Sequence, residues 1–382
     1  MAYKHFDIIT AQSAKRPGDV CGDVLSWRRD ATATTAVLAD GIGSGIRANV
    51  AATLCVSRLM ALIKGGTSLR HAFGELVRTM EGNRDPALPF AAFTAARVLN
   101  DGQATVLSYE TPGTMLINGR HATALTQRTL TMGAALVGEA SCYLEPGEGL
   151  LLVSDGITQS GLGRGLANGW GLEAAAQFTS DRLLEGRQLA EVPQTVHEQA
   201  RRHWGPDRGD DCTAALLACR LGNTINILTG PPSSREHDAE VVSAFLAAEG
   251  LKVVCGATTA NIVARCLGRK VDIEQDPRSL VAPPRYSIPG IDLVTEGAVT
   301  LTQVYNVIDE SPDHHEEDSG VADLCGLLWT ADRVNITVGV AANPANGAMS
   351  FRQQGILPRA TIIPLLCQKL ETAGKLVLVH HV

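Results

Sequence analysis

The sequence predicts an α+β chain of two domains, a β-rich first domain and a smaller second one that reads as a three-layer α/β domain with a mainly parallel sheet. Three observations predict it. The chain has 382 residues, more than one hydrophobic core usually organises, so two domains are expected. Residues 90–117 hold three short apolar runs bounded by Asn100-Asp101-Gly102, Pro112-Gly113 and Asn118-Gly119, which are hairpin signals. From Thr224 onward the pattern resets to apolar run, turn and amphipathic segment in alternation, the mark of helices crossing between parallel strands. The boundary is placed between residues 1–221 and 222–382.

The elements follow in order. Residues 6–10 and 20–27 read as strands separated by a Pro17-Gly18-Asp19 turn. Thr34, Thr35, Ala36, Val37 and Leu38 form an apolar, β-branched strand that climbs to Asp40. The glycines Gly41, Gly43 and Gly45 then open a helix over about 44–63, marked by the spacing of Ile46, Val50 and Leu54 and stopped by Gly65-Gly66. Thr67 and Ser68 can cap a second helix to about Met80, with Leu69, Phe73, Leu76 and Val77 on one face. After the hairpin region, residues 149–156 (GLLLVSDG) repeat the earlier design, since a fully apolar strand again delivers an Asp followed by Gly. Helices over 172–178 and 187–203 lead through a loop at 205–209 to Asp210-Asp211-Cys212-Thr213 and a strand over 214–220.

The second domain reads as strand 225–228, helix 236–248, strand 251–255 and helix 260–267, then a Pro-rich link at 283–289. Helices near 299–309 and 321–331, a strand at 335–340, a helix near 360–371 and a strand at 375–379 close the chain. No internal repeat or low-complexity segment interrupts it.

Bulk properties exclude several classes. A net charge of -7, from 33 basic and 40 acidic residues, gives no electrostatic reason to bind nucleic acid or an anionic membrane. Nine cysteines without a C-x-x-C pair read as buried thiols in a reducing compartment. No basic-then-apolar leader precedes Phe6, and no run approaches the roughly 20 apolar residues of a membrane span, so a cytoplasmic location is expected.

The chemistry sits in carboxylates. Asp40, Asp155 and Asp210 each lie at an end of an apolar strand, beside Gly or a second Asp. Buried carboxylates that converge without a cation raise each other's pKa and destabilise the fold, and bound divalent ions resolve that conflict. All-oxygen ligation favours Mg²⁺ or Mn²⁺, and no Cys/His spacing suggests zinc. His5, His71, His121, His197 and His203 sit in no motif and read as packing or surface residues.

Gly22-Asp23, the turn Asp40-Gly41-Ile42-Gly43-Ser44-Gly45, Ser154-Asp155-Gly156 and Asp210-Asp211-Cys212-Thr213 occur in the order and approximate spacing of the PPM (type 2C-like) metal-dependent Ser/Thr protein phosphatases. The chain resembles most their compact branch typified by the stage II sporulation E phosphatase, over about residues 1–221. The resemblance implies an αββα sandwich with two Mg²⁺ or Mn²⁺ ions at one end of the β layers, and hydrolysis of phosphoserine or phosphothreonine by metal-activated water. By the same resemblance Asp40 would bridge both ions, the Gly41 carbonyl would contact the first, and Asp155 and Asp210 would complete the shell of the second. Asp23 would order water or help a weaker ion. Asp211, where relatives often have Asn, would support the ligands rather than touch the metal. The expected partner is a phosphorylated regulatory protein of the anti-sigma-factor-antagonist type, and whether the chain forms a homodimer stays open. An equivalent of the phosphate-gripping Arg of larger relatives is not evident; Lys15 and Arg16 are the nearby candidates.

In the second domain, Gly230-Pro231-Pro232-Ser233-Ser234 and Gly256-Ala257-Thr258-Thr259 each join a strand to a helix. The first has two prolines and so few donors, and neither matches a nucleotide fingerprint. The run Asp313-His314-His315-Glu316-Glu317-Asp318 reads as a solvated loop. Three readings stay open for the chain: a protein phosphatase, a catalytically degenerate binding or sensor module, and a small-molecule phosphoesterase.

Overall fold

The computed structural model describes residues 2–82, 90–205, 209–273, 286–310, 319–341 and 355–382. The acidic run at 313–318 and the first half of the Pro-rich link lie outside the described residues. The chain divides into two compact units, Tyr3–Leu221 and Gly222–Val382.

In the first unit the strands are β1 (Lys4–Ser13), β2 (Asp23–Arg29), β3 (Ala33–Gly41), β4 (Ala91–Leu99), β5 (Gln103–Tyr109), β6 (Met115–Asn118), β7 (His121–Ala124), β8 (Arg128–Met132), β9 (Ala135–Tyr143), β10 (Gly149–Val153) and β11 (Cys212–Leu221). The helices are α1 (Gly45–Lys64), α2 (Leu69–Gly82), α3 (Asp155–Thr158), α4 (Leu172–Leu184) and α5 (Val192–Trp204). Two antiparallel sheets form, in strand order β1-β11-β10-β6-β7 and β2-β3-β4-β5-β9-β8.

Side chains alternate across each strand, so a strand covered on both faces must be apolar at every position. On β3, Ala36 and Leu38 face the core between the sheets, while Val37 and Ala39 face α1 and α2. Strand β10 repeats this, with Leu150 and Leu152 inward and Leu151 and Val153 against α4 and α5. The result is an αββα sandwich whose central strands read as unbroken apolar runs.

Three expectations need correction here. Pro112-Gly113 does not turn a hairpin: β5 and β6 belong to different sheets, and the chain crosses between them after Glu110, a non-glycine residue at φ 54. Strands β7, β8 and β9 were not foreseen, because β7 and β8 are half-exposed and lack an apolar run. Helix α1, at 20 residues and mean hydropathy 1.5, is long and apolar enough by length and composition to cross a membrane, although Arg47 and Arg58 break its run. In the fold it is a core helix, with Ala48, Ala52, Cys55, Val56, Leu59 and Ile63 buried.

The second unit has strands β12 (Thr224–Thr229), β13 (Leu251–Cys255), β14 (Asp272–Ile273), β15 (Tyr286–Ser287), β16 (Leu293–Thr295), β17 (Arg333–Val338) and β18 (Leu376–His381). Its helices are α6 (Asp238–Ala247), α7 (Ala257–Leu267), α8 (Ala298–Val307), α9 (Gly320–Thr330) and α10 (Arg359–Thr372). One sheet runs β14-β15-β16-β13-β12-β17-β18, and β16, β13, β12, β17 and β18 are parallel. Helices α6 and α7 cover one face and α8, α9 and α10 the other, giving three layers. Strands β14 to β16 escaped the sequence reading because each is only two or three residues long.

Candidate metal centre at the strand ends

Antiparallel pairing of β2 with β3 sets Asp23 directly opposite Asp40. Asp155 is the first residue of the single-turn helix α3, immediately after β10, and Asp210 and Asp211 lead into β11, the neighbour of β10. Four chain segments therefore deliver carboxylates to one end of the sandwich.

The glycines beside these carboxylates have a packing reason. A Cβ on Gly41 would stand 1.9 Å from the backbone oxygen of Ala48 in α1, and one on Gly156 would stand 2.0 Å from the backbone oxygen of Asp211. A Cβ on Gly22 would lie 2.7 Å from Asp211 Oδ2. Gly41 and Gly156 are thus places where backbone meets backbone too closely for any side chain, while Gly22 is closed in by the side chains of Asp211 and Ala48.

The carboxylates feel one another. Burial pushes Asp40 upward first, and the charges of Asp23, Asp155 and Asp210 push it further. Asp155 is raised by burial and by Asp210, and lies within hydrogen-bond reach of Asp40, a contact that needs a proton on one of the pair. Asp23 is 2% exposed. Its Oδ2 accepts from Thr213 Oγ1 at 2.6 Å, yet its Oδ1 is buried with no partner, and burial together with Asp211 and Asp155 raises its pKa despite help from Thr213 and Ser154.

Other side chains brace the cluster. Ser154 Oγ accepts the Thr213 backbone N–H at 2.9 Å. Gln12 Nε2 donates to the Asp23 carbonyl at 3.1 Å and to Thr213 Oγ1 at 3.0 Å. Asp211 accepts the Lys15 backbone N–H at 2.8 Å, and Lys15 Nζ reaches Asp210 Oδ1 at 3.3 Å and also favours the charge on Asp155. Of the two sequence candidates for a local cation, Lys15 is the one at the carboxylates. Behind the Asp210 segment, Arg201 of α5 sits 2.9 Å from the place a Cβ on Gly209 would take, with Nη1 buried and unpartnered. Sequence reasoning missed Gln12, because a brace carries no motif of its own, and it read Ser154 only as part of the Ser154-Asp155-Gly156 motif and not as a brace.

The donor set is all oxygen and one buried carboxylate oxygen is orphaned, so these residues fit a hard divalent cation. Among the described residues no three Asp, Glu, His or Cys side chains already meet as a coordination cage. Four of the five histidines make their contacts elsewhere: His5 is near Asp7, His71 near Glu75, His197 bonds Ser13 and His203 packs on Trp170.

Residues 30–220, half of the chain, match the family model for stage II sporulation protein E (SpoIIE). Sequence comparison finds no match among curated proteins. Among solved structures, the PP2C phosphatase domain of SpoIIE from Bacillus subtilis, with a fragment of its regulatory domain, is similar at 18% identity and TM-score 0.49 over 57% of this chain and 65% of that one. The chain therefore spans just under two thirds of that structure. The RsbU and RsbW domains of a Mycobacterium tuberculosis protein are similar at 18% identity and TM-score 0.49 over 64% of this chain and 69% of that one. The PP2C domain of SiaA from Pseudomonas aeruginosa is similar at 18% identity and TM-score 0.43 over 55% and 85%.

Proposed function

The chain belongs to the stage II sporulation protein E family of PP2C-like phosphatases, and on that premise we propose that residues 1–221 hydrolyse phosphoserine or phosphothreonine on a partner protein with two bound Mg²⁺ or Mn²⁺ ions. The observation that carries this reading is the convergence of Asp40, Asp155 and Asp210, with Asp23 behind them, at one end of the sandwich. Asp40 would bridge the ions, the Gly41 carbonyl would contact one, and Asp155 and Asp210 would hold the other. When bound, the ions supply Lewis acidity that neutralises phosphoryl oxygens and makes water acidic enough to attack phosphorus.

The remaining work falls to the chain. Thr213, Ser154 and Gln12 hold Asp23 and the Asp155 turn in register. Asp211 tethers the Lys15 backbone beside Asp210, so that once Asp210 is neutralised the Lys15 ammonium is free to hold a phosphoryl oxygen and orient it for in-line attack. Free thiols at all nine cysteines suit a reducing compartment, and we place the reaction in the cytoplasm. The partner would be a phosphorylated regulatory protein of the anti-sigma-factor-antagonist kind.

One observation favours a second reading, a binding module without turnover: among the described residues no coordination cage is preassembled. Hydrolysis of p-nitrophenyl phosphate and of a phosphoserine peptide, with and without Mn²⁺ or Mg²⁺, decides between them. Metal-dependent turnover that falls on the order of 10³-fold in Asp155→Asn supports the phosphatase; no metal-dependent turnover leaves the module.

A further inference from the structure

We propose that the second unit carries an anion-binding site of its own, at the carboxyl ends of β12 and β17, which takes a small ligand bearing a phosphate or carboxylate group. The sheet topology locates it. From β12 the chain moves to β13 and β16 on one side, whereas β17 and β18 lie on the other. The segments that leave β12 and β17 accordingly run to helices on opposite faces, α6 among the residues of one core and α10 among those of the other. Strand order that reverses in this way marks the carboxyl ends as the place where open α/β sheets bind their ligands.

The side chains at those strand ends have the right chemistry. Arg359, the first residue of α10, lays its guanidinium over Gly230 at the end of β12: a Cβ there would stand 1.9 Å from Nη1. Gly230 has φ +84, and its N–H donates to Thr259 Oγ1 of α7 at 2.8 Å. On the β17 side, a Cβ on Gly339 would lie 2.1 Å from the Pro231 oxygen, and Arg359 Nη2 donates to the Ala341 carbonyl at 3.0 Å. Two strand ends and two helix starts thus meet around one guanidinium.

Among the described residues that guanidinium has no carboxylate partner. Arg359 is half-buried, and among the described residues its one hydrogen bond is to the Ala341 carbonyl. Two other half-buried arginines are paired with carboxylates, Arg97 with Asp30 and Arg220 with Asp7. Taking an unpaired guanidinium out of water is costly, and burial accordingly lowers the Arg359 pKa. Its fork of N–H donors matches the paired oxygens of a phosphate or carboxylate. The two prolines that make the 230–234 turn a poor backbone cradle therefore do not matter, because the donor comes from far along the chain.

The test is calorimetric titration of the full chain, stripped of cations with EDTA and then dialysed free of it, with inorganic phosphate in one arm and succinate in the other. Without cations the carboxylates of the first unit repel either anion. Saturable binding of one anion per chain is expected, and the tighter arm names the ligand class. Arg359→Gln should weaken it at least about tenfold, the effect of losing a charge-assisted, two-pronged contact. Arg359→Lys, which keeps the charge and the fold but not the fork, should weaken it roughly threefold or more. Absence of binding in both arms overturns the proposal, and so does wild-type affinity in either variant.

Discussion

The two units finish their central strands with the same device and opposite charge. In the first, Gly22, Gly41 and Gly156 let neighbouring segments close up until four carboxylates share one end of the sandwich. In the second, Gly230 makes room for a single guanidinium. On the two proposals above, the charge each end gathers decides what it would take, cations at the acidic end and an anion at the basic one. The neighbours differ as well. Gly41 is pressed by the backbone of α1, which cannot yield, whereas Gly230 is pressed by the tip of a long side chain, which can.

That difference gives the largest expected effect on stability. Gly41→Ala forces a Cβ into the Ala48 carbonyl and should cost about 3 kcal/mol or more, with loss of metal-dependent turnover. Gly230→Ala can turn Arg359 aside and carries mainly the strain of a positive φ, about 1–2 kcal/mol. Urea unfolding followed by a probe in each unit reads both. Equal costs would break the comparison, since it rests on a rigid neighbour in one unit and a compliant one in the other.

How much of this was legible in the sequence follows the same line. Asp40, Asp155 and Asp210 could be read because each ends a strand buried on both faces, and such strands are unbroken apolar runs. The helices α1, α2 and α6 to α10 were legible from periodicity and their glycine stops. Strands β7, β8 and β14 to β16 were not, because short or half-exposed strands alternate too few residues to leave a pattern; β9, nine residues long, was overlooked although its first residues alternate between buried and exposed. The crossing at Pro112-Gly113 was misread as a hairpin, since a turn signal says that the chain bends and not which sheet it enters next. Lys15 was visible as a nearby cation, but only pairing of β1 with β11 across some 200 residues sets it beside Asp210. Arg359 was beyond sequence reading for the same reason, because its place over Gly230 depends on the order of strands in a sheet.

Lys15 sharpens the acidic side of the comparison. Its side chain is 43% exposed and its ammonium is the cation at Asp210, so removing it should cost little stability. If it orients the phosphoryl group, Lys15→Ala raises KM for p-nitrophenyl phosphate about tenfold with kcat changed far less, the pattern of a contact made equally in ground and transition states. A fall in kcat at constant KM would mean that Lys15 acts on the bond-breaking step instead.

The smallest effect concerns a carboxylate that already has its cations. Glu139 on β9 is 4% exposed and is held by Arg70 and Arg128. Burial raises its pKa, but the hydrogen bonds and charges of the two arginines outweigh this and leave it below its ordinary value of 4.5. A carboxyl whose folded pKa is depressed stabilises the fold fully above its unfolded pKa, and that contribution is lost as pH falls through the folded value. Both arginines are more than half exposed, so water and salt screen the pair and the contribution should be about 1 kcal/mol or less. Glu139→Gln is therefore expected to melt slightly below wild type at pH 7, with the gap closing below about pH 4 as Glu139 takes up its proton. In the metal-free protein the acidic end has the opposite sign, because its carboxylates are raised and repel: acidification relieves Asp40 between its folded value of about 10 and its ordinary value of 3.8, above the range in which the Glu139 cluster weakens. A gap between wild type and Glu139→Gln that widened on acidification would mean that burial, and not the two arginines, sets the charge on Glu139.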